Sequence, residues 1–178
     1  MVLAYVAELV TGPLLYALYP ACGPIYAFGR QWLRPPAVEP VAIRLAGMPN
    51  AFPSLHIGTA FLFLLFAPGK LWKAVAFAFL ALTCLATLST GEHYVIDLVP
   101  GLAFGAFAAA VGSKDLKQAS LFLSTAVAWS LLMRFASSIL IAHPFVTRSA
   151  VAFTIALAIF ALWNQWSAQA SPTQHPAS

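Results

Sequence analysis

Two short segments of this sequence each carry a histidine in a setting that suits phosphoryl transfer. Ser54 precedes His56 by two positions, and Asp97 follows His93 by four. Residues four apart share one face of a helix, so the carboxylate of Asp97 is expected to reach the imidazole of His93. A carboxylate bonded to one ring nitrogen sets the tautomer and leaves the other nitrogen basic. This arrangement is typical of an activated nucleophile that can attack phosphorus.

Both histidines are predicted to lie near the N-terminus of a helix. Pro53 suits the start of a helix because it lacks the N–H group that would have no acceptor there. Ser89 and Glu92 have the spacing of a capping box, which predicts that a helix begins at about Glu92. The free N–H groups and the dipole of a helix N-terminus favour anions. We therefore expect Ser54 and the turn around it to bind phosphate.

The composition places these segments in a membrane. Of the 178 residues, 61% are hydrophobic and 8% are charged, whereas a soluble domain carries roughly 25% charged residues. The net charge of +4 comes from scattered basic residues, and no basic run indicates a nucleic-acid surface. Since one span takes about 20 residues, we predict an integral, multi-pass protein with an all-α fold, a polytopic transmembrane bundle of about six helices.

Apolar runs between polar breaks define the predicted helices. They cover Val2 to Phe28, Ser54 to Phe66, Leu71 to Leu88, Glu92 to Val111, Ala119 to Ala142 and Phe145 to Trp166. With alternate crossings, the helix ends that carry the two histidines face the same side of the membrane. Residues 1–166 are predicted to form one membrane-embedded domain, and the small, polar residues 167–178 a disordered tail.

The fourth predicted helix has a row of small residues. Gly101, Gly105 and Ala109 recur at every fourth position. Such a row lets the backbone of a neighbouring membrane helix approach closely. The alternative interpretation is that glycine and alanine are simply common in membrane helices.

The two histidine segments together resemble the second and third signature motifs of the type-2 phosphatidic acid phosphatase superfamily. Leu55 after Ser54, and the upstream stretch from Tyr16 to Pro24, are most similar to its inositol phosphorylceramide synthase-like branch. In that family the histidine of the third motif attacks phosphorus, its aspartate orients it, and the histidine of the second motif protonates the leaving group. The resemblance implies these roles for His93, Asp97 and His56.

The sequence departs from this family at its basic residues. Ala27 stands where the first motif has lysine, and Ala86 and Thr87 replace the Ser-Arg pair of the third motif. Other cations must then hold the phosphate, although each candidate could equally be an interfacial anchor. In order of preference, the candidates in the connection from Gly29 to Pro53 are Arg34, Arg30 and Arg44, and Arg134 is a further one within a span.

The sequence therefore predicts a membrane lipid-phosphate phosphatase or phosphotransferase that forms a phosphohistidine on His93 and needs neither metal nor cofactor. Its substrate would be a lipid phosphate or phosphodiester. Water as the acceptor would make it a phosphatase, and an alcohol would make it a transferase, for example a sphingolipid-type phosphoinositol transferase. The alternatives are a haem protein with His56 and His93 as axial ligands and a non-catalytic membrane scaffold, in which each histidine only bonds a neighbouring group.

The number of basic residues on each side does not decide the orientation of the protein in the membrane. Lysines lie in turns on one side and arginines on the other, so a simple count is balanced. If the arginines bind substrate, the lysine turns mark the cytoplasm and the active site faces outward. These lysines are Lys70, Lys73, Lys114 and Lys117.

Overall fold

The computed structural model describes residues 1–29 and 51–170, and within them all regular structure is helical. This confirms the predicted all-α membrane bundle. The helices are α1 (Val2–Leu18), α2 (Pro24–Phe28), α3 (Leu55–Phe66), α4 (Gly69–Ser89), α5 (Val95–Gly112), α6 (Leu116–Ala142) and α7 (Pro144–Ala170).

Helices α4 to α7 are long and apolar enough to cross a membrane. The chain is therefore an integral membrane protein, as its composition predicts. Helices α1 and α3 are shorter, with 17 and 12 residues. Helix α3 rises only about 18 Å, less than the roughly 30 Å of a hydrocarbon core. Because α3 does not span this thickness, other parts of the bundle must cover its two ends.

The first predicted helix is in fact two helices. Helix α1 ends at Leu18, and Tyr19 is extended, with φ −135° and ψ 90°. The cause is Pro20, because a residue that precedes proline is disfavoured in the helical region. Pro24 then opens α2 at its first turn, which is the helical position that proline tolerates best.

The capping box predicted at Ser89 and Glu92 is wrong. Ser89 is the last residue of α4, and its hydroxyl donates to the carbonyl of Ala86 within the same helix. Helix α5 begins only at Val95, because the carboxylate of Asp97 accepts the N–H of the N-cap residue Tyr94 at 2.7 Å. His93 therefore lies in the connection before α5 and not in the helix.

The last helix is longer than predicted. Helix α7 continues to Ala170, beyond the expected end at Trp166. The disorder predicted for the rest of the tail concerns residues 171–178, which lie outside the described residues.

Helix α5 is the centre of the bundle and packs against α1, α3, α6 and α7. The row of small residues makes the contact with α3, as the spacing predicts. A Cβ atom on Gly101 would lie 2.6 Å from the carbonyl oxygen of Ser54, and one on Gly105 would lie 2.5 Å from that of Gly58. Only hydrogen in place of a side chain allows the two backbones to come this close.

The last turns of α7 form hydrogen bonds with the C-terminal end of α3. The indole N–H of Trp166 donates to the carbonyl of Leu64 at 3.2 Å, and the amide of Gln169 donates to that of Leu65 at 3.0 Å. The last four carbonyls of an α-helix have no N–H partner in the regular hydrogen-bond pattern of that helix. Side chains of α7 thus bond two carbonyls at the C-terminal end of α3, of which that of Leu64 also accepts the N–H of Ala67 at 3.4 Å.

The contact between α3 and α5 predicts opposite effects for two glycine substitutions. Gly105→Ala should lower the free energy of unfolding by about 1–3 kcal/mol, because its Cβ would overlap rigid backbone. Gly12→Ala should be neutral or stabilising, since its Cβ would meet only the movable tip of Leu55, at 2.9 Å, and alanine is favoured in helices by about 1 kcal/mol. Thermal unfolding in detergent measures both, and equal effects would contradict the proposed backbone contact.

Candidate active site

The two histidines meet at the N-terminal ends of α3 and α5. His56 lies in the first turn of α3, and His93 lies two residues before α5 begins. Nδ1 of His56 is 3.3 Å from Nε2 of His93, and the ring centroids are 5.5 Å apart. The structure thus places both histidines on one side of the bundle, as expected from alternate crossings.

Ser54 joins the two histidine segments. It is the N-cap of α3, and its hydroxyl oxygen accepts the N–H of Ile57 at 3.4 Å. The same oxygen lies 3.1 Å from Nε2 of His93, and the N–H of Ser54 donates to the carbonyl of Asp97. Pro53 lies one residue before the cap, so it is outside the helix that it was expected to begin.

A backbone carbonyl holds the other nitrogen of His93. Nδ1 lies 2.8 Å from the carbonyl oxygen of Ala51, and the histidine is only 3% exposed. Because a carbonyl only accepts, Nδ1 carries the hydrogen, and Nε2 of the neutral ring keeps its lone pair. The hydroxyl of Ser54 and Nδ1–H of His56 are then the donors to Nε2.

Asp97 is close to His93 but does not make the tight bond that was expected. Its Oδ2 is 3.7 Å from Nδ1 of His93, which is beyond hydrogen-bond length. The same oxygen accepts the N–H of Tyr94 at 2.7 Å. Asp97 is thus a carboxyl group close to the ring and the cap of α5, while the carbonyl of Ala51 sets the tautomer. A backbone group has no residue type, so the sequence carried no signal for Ala51.

The connection between α1 and α2, together with the first turn of α2, holds both histidine segments in place. The N–H of Ala51 donates to the carbonyl of Ala21 at 3.1 Å, and the N–H of Ile25 donates to that of Gly91 at 3.0 Å. A Cβ atom on Gly23 would lie 2.0 Å from the carbonyl oxygen of Glu92. Only glycine therefore fits where this chain crosses the segment that leads to His93.

A second contact ties α2 to the same segment. The hydroxyl of Tyr26 donates to the carboxylate of Glu92, with distances of 3.1 and 3.2 Å to the two oxygens. This hydrogen bond and the adjacent charge raise the pKa of Tyr26. The backbone of His93 is held as well, because its N–H donates to the carbonyl of Thr87 at 3.3 Å.

Of the four candidate arginines, one lies within the described residues. Arg30, Arg34 and Arg44 lie outside the described residues. Arg134 does lie within them, and its guanidinium donates to the carbonyl of Leu18 at 2.6 Å. Leu18 is the last residue of α1, so Arg134 satisfies a C-terminal helix carbonyl there.

Comparison with protein families identifies a superfamily for most of the chain. The sequence matches the model of the PAP2 superfamily over residues 1–111. The matched part includes both histidine segments and ends within α5, so α6 and α7 lie outside it. No curated protein and no solved structure matches the chain.

The geometry around His93 predicts a limited effect for Asp97→Asn. In Ser-His-Asp triads, where the carboxylate sets the tautomer, this change costs roughly 10⁴-fold in kcat. Here the Ala51 carbonyl still holds Nδ1–H, and an amide oxygen still accepts the N–H of Tyr94. We expect kcat for phosphate release to fall by about 10- to 100-fold, the cost of a lost nearby charge of about 1–3 kcal/mol.

Asp97→Ala is the matched comparison, because it also removes the cap of α5 and should therefore be slower and less stable. Steady-state kinetics and thermal unfolding of both variants make the test. If Asp97→Asn unfolds like the wild type but loses as much activity as the triad variant does, Asp97 and not Ala51 sets the tautomer.

Proposed function

This chain belongs to the PAP2 superfamily, and we propose that it transfers the phosphoryl group of a lipid phosphate or phosphodiester through a phosphohistidine on His93. Membership of the superfamily supports a phosphatase or phosphotransferase type of function. The observation that carries the finer proposal is the state of His93. Its Nδ1 is held by a carbonyl at 2.8 Å, so the lone pair of Nε2 faces Ser54 and His56, where a phosphoryl group can approach.

In the first step the lone pair of Nε2 forms a bond to phosphorus, and the bond from phosphorus to the leaving oxygen breaks. His56 donates a proton to that oxygen. In the second step water or an alcohol gives a proton to His56 and attacks phosphorus. The bond from nitrogen to phosphorus then breaks, and the lone pair returns to Nε2.

His56 is suited to this exchange because it is the exposed member of the pair. A phosphorus atom about to react lies about 3–3.5 Å from its nucleophile. Nδ1 of His56 occupies that distance from Nε2 in the substrate-free arrangement. The phosphoryl group must therefore displace the ring of His56, which moves it from the nucleophile towards the leaving oxygen.

The negative charge on the phosphoryl oxygens must be stabilised by hydrogen-bond donors. Ser54 and the N-terminus of α3 provide them on the protein side of the site. We propose Arg34, and then Arg30 and Arg44, as the cations that complete the phosphate site. Asp97 balances the positive charge that His93 acquires when it is phosphorylated.

Water is the acceptor that we favour, which makes the protein a lipid-phosphate phosphatase. Transfer to an alcohol, as in a sphingolipid-type phosphoinositol transferase, is the second candidate. The similarity of Leu55 and of the stretch from Tyr16 to Pro24 to the inositol phosphorylceramide synthase-like branch favours it. With substrate-binding arginines on the side opposite the lysine turns, the active site faces outward from the cytoplasm.

The rival functions make different demands on the two histidines. A haem with His56 and His93 as axial ligands would have to separate two rings that are in direct contact at 3.3 Å. A non-catalytic scaffold would release no phosphate. An absorbance spectrum of the purified protein tests the first, and a phosphate-release assay with a panel of lipid phosphates and phosphodiesters tests the second.

Substitution of the two histidines should have different consequences. His93→Ala should abolish turnover of every substrate, because no other atom then accepts the phosphoryl group. His56→Ala should abolish turnover of a natural lipid phosphate yet retain transfer from a substrate with a good leaving group, which needs little protonation.

Rates with a series of aryl phosphates of decreasing leaving-group pKa measure this difference. His143→Ala is the control, since His143 lies in the turn between α6 and α7. If His56→Ala were inactive with every leaving group while His93→Ala kept activity with the best, the roles of the two residues would be reversed.

The proposed chemistry also predicts the response to chelators. Because histidine and arginine side chains perform each step, activity should survive a strong chelator. Assays before and after treatment, with a magnesium-dependent phosphatase as the control, measure this. Complete loss that magnesium restores would contradict the mechanism.

A further inference from the structure

Glu8 is a buried carboxyl group that the proposed reaction does not use. It lies in the middle of the apolar helix α1 and is only 2% exposed. Its Oε1 accepts the hydroxyl of Thr59 in α3 at 3.1 Å. Its Oε2 has no hydrogen-bond partner among the described residues. Ionisable groups within a membrane bundle are costly and usually serve a purpose.

The surroundings of Glu8 favour a neutral acid. In the described part of the chain, no Lys, Arg or His lies within ion-pair distance of it. A charged oxygen without a partner is far more costly to bury than a neutral hydroxyl. Since Oε1 accepts from Thr59, it is the carbonyl oxygen of the acid, and Oε2 carries the proton.

The carboxyl occupies a place that the structure leaves open for it. A Cβ atom on Gly58 would lie 2.6 Å from Oε1 of Glu8, so the acid rests against the bare backbone of α3. Farther along α1, Gly12 receives the side chain of Leu55 at 2.9 Å from a built Cβ. Helix α1 thus contacts α3 at two adjacent levels.

These contacts lie directly beneath the candidate active site. Thr59 is three residues after His56, on the adjoining surface of the same helix and about 4.5 Å deeper. On its other side α3 is held by α5, through Ser54 and Gly58. The bond between Glu8 and Thr59 is therefore a polar contact by which α1 holds the first turns of α3, beside the packing of Leu55 on Gly12.

We propose that Glu8 is a neutral carboxylic acid whose hydrogen bond to Thr59 positions the first turn of α3, and with it His56, beside His93. Glu8 is a positioning residue and touches no reacting atom. The kinetic tests of this role rest on the proposed function, whereas the spectroscopic tests do not.

Two substitutions of Glu8 separate this role from simple packing. Glu8→Gln keeps a neutral acceptor for Thr59 and should retain the wild-type kcat. Glu8→Leu keeps the apolar contact and leaves the Thr59 hydroxyl free to bond a carbonyl of its own helix. It should fold, keep its KM, and lower kcat by on the order of 10²-fold, the loss that a misplacement of about 1 Å causes.

Thr59→Val removes the other partner and should give the same loss, without a further loss in the double variant with Glu8→Leu. Thr11→Val is the matched control. Among the described residues its hydroxyl bonds only the carbonyl of Ala7 in α1, so this variant should behave as the wild type.

Two readouts do not depend on catalysis. The infrared difference between wild type and Glu8→Gln at neutral pH should contain the carbonyl band of a protonated carboxylic acid. Nitrogen-15 spectra should show the bond between His56 and His93 in wild type, Glu8→Gln and Thr11→Val, and its loss in Glu8→Leu. If no variant had phosphatase activity, the proposed function would fail while these spectra still decided the role of Glu8.

The proposal is overturned by carboxylate bands alone in the infrared difference. It is also overturned if the histidine spectrum of Glu8→Leu equals that of the wild type. Equal loss of kcat in Glu8→Gln and Glu8→Leu would contradict it as well, because an acidic proton and not a hydrogen-bond acceptor would then be required.

Discussion

The hydrogen bond from Nδ1 of His93 to the carbonyl oxygen of Ala51 joins the two segments on which the candidate site depends. At 2.8 Å it leaves Nε2 with the lone pair, and it sets the position of the ring relative to Ser54. The carbonyl is held in turn, because the N–H of Ala51 donates to Ala21. Any chemistry at His93 therefore depends on a chain of backbone contacts as much as on catalytic side chains.

The bundle is built so that these contacts persist at the end of a short helix. Helix α3 has 12 residues and is held by other elements all along its length. The glycines of α5 admit its backbone, α7 satisfies its last carbonyls, and Glu8 of α1 bonds its second turn. The superfamily match ends at residue 111, yet α7, which lies outside it, bonds the C-terminal end of the helix that carries His56.

Residue types and spacing predicted the membrane bundle, the superfamily and the two histidines that meet. These sequence features did not predict the contacts that depend on the backbone conformation. The spacing of His93 and Asp97 suggested a helical pair, but α5 begins at Val95 because Asp97 caps it, and the partner of His93 is a carbonyl without a sequence signature. The apolar run from Val2 to Phe28 suggested one helix, but Pro20 ends α1 at Leu18. The role of Glu8 depends on the absence of a side chain at Gly58, which only the packing of α1 on α3 makes visible.

The central claim is that Nε2 of His93 is the atom that receives phosphorus. The most direct test is to trap the intermediate with an activated phosphate ester, digest the protein at alkaline pH, and determine by mass spectrometry and phosphorus NMR which nitrogen of which histidine is phosphorylated. The structure predicts phosphate on Nε2 of His93, since Nδ1 is bonded to Ala51. Phosphate on Nδ1 of His93, or on His56, or no covalent intermediate during active turnover, would contradict this account.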